Sequence, residues 1–141
     1  MKRFVLIYLL VTSIAMSCSD NTATISDFIF ETCPDLAEVE AVLIIPGVGC
    51  EGCIGNATQF ALDYADSLNL GIVFTKVVSL KTLKFRLGND FFELPNVKID
   101  TFDLCPLDET FYPSIFYPNT RRFIVVSPEN PNTLEDLKNL R

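Results

Sequence analysis

The sequence predicts an α/β domain, on three observations. Aliphatic runs alternate with segments of helical periodicity, the most helix-like segment follows directly on the most aliphatic run, and two β-rich runs joined by a turn come late, just before a final helix. Of the 141 residues, roughly 120 remain once an N-terminal leader is set aside, enough for one core and too few for two.

The leader comes first. Met1, Lys2 and Arg3 make a basic start, and residues 4–16 are mostly apolar. That run is shorter than the roughly 20 residues that cross a bilayer and ends in the small residues of "AMSCSDN", so residues 1–17 read as an export signal and not as a membrane span. Residues 18–38 read as a tether and lead-in, because the stretch 19–26 is small and polar. The domain proper is expected over 39–141. It opens with an aliphatic strand at 41–45. A helix is expected over 51–68, with Ala57, Phe60, Ala61, Tyr64 and Leu68 on one face and Asn56, Gln59, Asp63 and Asp66 around the rest. A second β-rich run covers 71–78, a short helix opens at Ser79 and closes at Gly88-Asn89, and 96–102 alternates like a strand. "YPSIFY" and "RRFIVV" flank Pro118-Asn119-Thr120, which is hairpin chemistry. The last helix carries a capping-box signature in Thr133 and Asp136, with Leu134, Leu137 and Leu140 on its buried side.

Charge narrows the function. Eleven Lys and Arg against 18 Asp and Glu give a net charge of −7; losing Lys2 and Arg3 with the leader takes it to −9. No basic run interleaved with aromatics could follow a phosphate backbone, which argues against nucleic acid as a partner. The "NAT" at residues 56–58 matches a glycosylation sequon, but inside an expected helix it carries no meaning.

The chemistry concentrates in "VLIIPGVGCEGCIGNATQFALDYADSL", where an aliphatic run ends in a glycine-flanked Cys-x-x-Cys that opens a helix. A helix N-terminus presents unpaired N–H groups and the positive end of a dipole, which stabilise a thiolate. Cys50 stands at that end and is the expected attacking sulfur; Cys53, inside the first turn, is placed to resolve a mixed disulfide. Glu51 between them opposes thiolate formation. Gly47, Gly49 and Gly52 leave the turn open for a partner's backbone. The same two sulfurs could also hold a metal or staple the loop. Cys33 and Cys105, each followed by proline, read as a loop-fixing disulfide or as two unrelated buried thiols.

Two resemblances sharpen these readings. Ala15-Met16-Ser17-Cys18 resembles the lipobox of bacterial lipoproteins, which implies that Cys18 is lipidated, becomes the new N-terminus and anchors the chain to a bilayer in the cell envelope. An ordinary secretory cleavage nearby is the alternative. The order of elements, with Cys50 and Cys53 after a central strand and Pro113 opening a late one, resembles the thioredoxin fold. That resemblance implies a central mixed sheet flanked by helices, a cis Tyr112–Pro113 bond lying against the two sulfurs, and thiol–disulfide exchange with protein thiols or disulfides and an upstream redox partner, with no cofactor. The chain departs from it at Gly49, where tryptophan is usual, and at Ile44, where a buried acid is frequent. It has no histidine to substitute, and residues 91–111 are an addition to the minimal fold. "GVGCEGC" also resembles the heavy-metal-associated domain, which implies a soft-metal carrier binding copper as Cu(I); that domain is much shorter, and Val48 replaces its methionine. A thioredoxin-like scaffold that binds without turnover is the third possibility.

Overall fold

The structure, a computed structural model, describes residues 21–107, 111–130 and 132–140. Its first element was not expected. Helix α1 spans Asn21–Thr32, within the segment read as a tether, and its Ile25, Phe28 and Ile29 are buried at helical spacing. A short 3-10 turn, Pro34–Leu36, then leads into β1, Ala41–Pro46. The folded unit therefore begins before residue 39.

Helix α2 spans Glu51–Tyr64, β2 Leu70–Thr75, α3 Leu80–Leu87, β3 Val97–Ile99, β4 Ser114–Tyr117 and β5 Arg122–Val125. A last turn of helix, α4, covers Thr133–Asp136 and runs on as a 3-10 turn, Leu137–Asn139. The five strands form one mixed sheet in the order β3-β2-β1-β4-β5. β1–β2 and β2–β3 are parallel, whereas β1–β4 and β4–β5 are antiparallel.

Strand composition follows from position. All six residues of β1 and all six of β2 are buried, as continuous aliphatic runs in central parallel strands must be when both sheet faces are covered. The two faces are read out by alternation. Leu43 and Ile45 of β1, with Ile72 and Phe74 of β2, pack with Ala57, Phe60 and Ala61 of α2. Val42, Ile44 and Val73 point the other way, into a cluster with Ile25, Phe28 and Ile29 of α1. Residues of α3 and α4 join the first cluster through Leu83, Leu87 and Leu134, together with Leu137, so α2, α3 and α4 share one face and α1 covers the other. Two consecutive right-handed crossovers stepping the same way across a sheet put both helices on one side, as α2 and α3 are. Gly71 sits where a Cβ would lie 3.0 Å from Leu36; its lack of a side chain lets the 3-10 turn close over the sheet.

Several local devices hold the edges. Ser79 caps α3, its hydroxyl accepting from the Thr82 N–H at 3.2 Å. Asn96 donates from its amide to the carbonyls of Ala65 and Leu70, tying the end of α2 to the start of β2. Asp100 accepts from the N–H groups of Leu104 and Cys105 and from the Thr75 hydroxyl, which shapes the loop after β3. The capping box expected at Thr133 does not form: Asn132 is the cap residue, without a side-chain bond, and the Thr133 hydroxyl donates back to the Asn130 carbonyl at 2.7 Å. No helix among the described residues is long and apolar enough to cross a membrane.

Candidate active site

β1 is the central strand, and it delivers the chain at the C-terminal edge of the sheet, where open α/β sheets place their sites. The ladder runs one residue past the strand, the Gly47 N–H donating to the Thr75 carbonyl at 2.8 Å. Three exposed residues later the chain turns into α2 with Cys50 as its cap. Cys50 and Cys53 are joined as a disulfide, with their Cα atoms 5.3 Å apart. The Cys53 N–H donates to the Cys50 sulfur at 3.4 Å, so one of the orphan donors of the first helical turn is aimed at this sulfur. Both cysteines are half-buried, which makes the sulfur pair reachable from solvent.

The other wall of the site comes from sixty residues away. The Cys50 N–H donates to the Phe111 carbonyl at 2.9 Å, and Gly49, at φ +136°, presses so close to that carbonyl that a Cβ would collide with it. At Gly47 a Cβ would meet the Lys76 carbonyl. The room these glycines leave is thus filled by the chain's own backbone, and not held open for a partner as expected; only Gly52 of the three has nothing within 4 Å.

Pro113 is buried two residues beyond Phe111, and its carbonyl accepts from the Val126 N–H at 2.8 Å. No peptide bond among the described residues is cis, so Tyr112–Pro113 is trans, contrary to expectation. The segment before β4 does reach the dithiol loop, but through Phe111. Ile44 is fully buried in the α1-side cluster, so no acid lies in the strand beneath the motif.

No protein-family model, no curated protein and no solved structure matches this chain.

Cys33 and Cys105 do not pair in this structure. Both are free thiols, buried in the cluster between α1 and the sheet, on the face opposite α2. Burial first, and then the negative charge of Asp100, push the Cys105 thiol up to about 12; burial raises Cys33 as well. Each stays a neutral, unreactive thiol at physiological pH. Cys18 lies outside the described residues. Among those residues no group of three or more potential ligands gathers, so a soft cation at the motif would rest on two sulfurs alone. Sequence reasoning did not find Phe111; nothing in its local pattern marks a carbonyl that will meet a residue so far back in the chain.

A groove of about 750 Å³ opens directly beside the motif, between α2 and α3. Its floor includes Ile45, Phe74 and Leu83, and Val48, Glu51 and Arg86 stand along it.

Proposed function

We propose that this chain is a thiol–disulfide oxidoreductase on a thioredoxin-like scaffold, held at the bacterial cell envelope by a lipid on Cys18. The observation that carries the reading is the half-exposed Cys50–Cys53 disulfide at the start of α2, with the Cys53 N–H on the Cys50 sulfur. In the reduced state the same N–H and the helix dipole stabilise a Cys50 thiolate. That thiolate attacks one sulfur of a substrate disulfide, forming a mixed disulfide and releasing the other sulfur as a thiolate that takes up a proton. Cys53, deprotonated, then attacks the Cys50 sulfur and frees the second substrate thiol. Two electrons pass from the dithiol to the substrate, and a dithiol protein upstream must return them. The sulfur pair carries those electrons itself, so no cofactor is required. The thioredoxin-like part of the reading draws on the parallel β1–β2 unit around α2 and on the late antiparallel hairpin of β4 and β5; the trans Tyr112–Pro113 bond departs from it.

The test is catalysed reduction of a model disulfide protein with dithiothreitol as donor. Wild-type protein is expected to accelerate it, and Cys50→Ser to fall to the rate of dithiothreitol alone. Stoichiometric Cu(I) binding without any exchange would replace this reading with the carrier.

A further inference from the structure

The cations of this acidic chain are not evenly spread. Four of its 11 Lys and Arg, namely Lys76, Lys81, Lys84 and Arg86, fall within residues 76–86, and no Asp or Glu occurs between Asp66 and Asp90. None of the four makes an ion pair among the described residues. They lie on α3 and the loop before it, the element that forms one side of the groove beside Cys50. α3 buries none of its residues fully, and Val78 and Phe85 near it are 80% and 90% exposed. The groove itself is apolar along its floor, and of the four cations Arg86 lines it. Gly55 and Thr58 present little bulk on the α2 side.

From this we infer that the groove between α2 and α3 holds an extended stretch of the substrate polypeptide, apolar next to its reacting cysteine and acidic at the position that meets Arg86. The inference rests on the exchange reading above and names the substrate class for it. The register belongs to the same inference. Glu51 lines the mouth nearest Cys50, so an acidic residue there is repelled, and Val48 and Val77 favour apolar neighbours for the substrate cysteine. Ser79 and Arg86 both line the groove, seven residues apart along α3, so it runs about 10 Å beside that helix at the α-helical rise, a length an extended chain covers in about three residues. The inference seats the substrate cysteine at the Ser79 end, so that an acidic side chain about three positions away meets the guanidinium, which can take a carboxylate in two parallel hydrogen bonds. The unpaired lysines on the outer side of α3 add a local positive field that draws such a segment toward a molecule whose net charge would otherwise repel it.

The experiment uses Cys53→Ser protein, in which the Cys50 thiolate attacks peptides carrying a single cysteine as its thionitrobenzoate disulfide; the peptide joins Cys50 and coloured thionitrobenzoate leaves. Two peptides share leucine and alanine around the cysteine and differ in having Glu or Lys at the third position on both sides. At low ionic strength the Glu peptide is expected to react about tenfold faster than the Lys peptide. The ratio is expected to shrink as salt rises to about 1 M and to invert when Arg86→Glu is added. Equal rates for the two peptides, with Cys50 still reacting with dithionitrobenzoate, would overturn the groove assignment and leave the exchange reading standing. A Cys50 that reacts with neither peptide in the Cys53→Ser protein, together with wild-type protein that shows no turnover, overturns both. Charge-indifferent peptide rates combined with binding to phosphatidylglycerol vesicles, or with self-association, that Arg86→Glu abolishes would give this surface to lipid or to a second copy instead.

Discussion

At the scale of single residues, the site depends on how Gly49 and Phe111 meet. Gly49 combines a φ of +136° with a backbone carbonyl in the space of its absent side chain. Gly49→Ala therefore meets two costs at once: a backbone conformation strained by about 1–3 kcal/mol, and displacement of Phe111 from the Cys50 N–H. The expected outcome is an unfolding free energy from urea denaturation lower by at least that strain, with a lower midpoint, whereas Gly52→Ala, with open space around it, stays within about 0.5 kcal/mol of wild type. Equal midpoints for the two variants would show that the Phe111 contact is dispensable. Cys50 and Cys53 were legible in the sequence because their spacing, their glycines and the helix that follows are all local. Phe111 was not, since a carbonyl has no sequence signature. The cis bond expected at Pro113 came from resemblance alone, and the trans segment meets the dithiol loop two residues earlier.

Whole elements were legible where one periodicity ruled. β1, α2, β2 and the α3 cap at Ser79 follow from apolar runs, a helical stripe and a hydroxyl placed three residues before the N–H that it accepts. α2 stops at Tyr64 and not at Leu68, as Asn96 takes up the Ala65 carbonyl and the chain turns into β2. α1 was missed because its first turn is polar, although Ile25, Phe28 and Ile29 carried the i, i+3, i+4 signal. Its burial makes a prediction that separates a helix from a tether. Ile29→Ala, at a fully buried position, is expected to cost about 2–5 kcal/mol. The neighbouring Phe30, 41% exposed, is expected to tolerate alanine at a fraction of that. Matching melting temperatures for wild type and Ile29→Ala would return residues 21–32 to the tether.

On the scale of the whole molecule, one sheet separates two populations of cysteine among the described residues: a half-exposed pair on the α2 side and two buried thiols under α1. The envelope location proposed above rests on Cys18, which lies outside the described residues. If that cysteine is lipidated as proposed, the protein is expected to partition into the detergent phase, and Cys18→Ala to stay unprocessed or move to the soluble fraction. Soluble wild-type protein with another N-terminus would remove the anchor. The Phe111–Cys50 bond also bears on how the chain is made. Synthesis proceeds from the N-terminus, so Cys33, Cys50 and Cys53 emerge long before the residues that complete their surroundings: Cys105 and Leu107 beside the first, Phe111 beside the dithiol loop. Until the last quarter of the polypeptide has been delivered, these three thiols share an unfinished chain with each other, and an oxidant arriving early can join Cys33 to the wrong sulfur. The finished sheet places Cys33 on one face and the dithiol helix on the other, so the completed fold itself sorts the correct pair from the mistaken one.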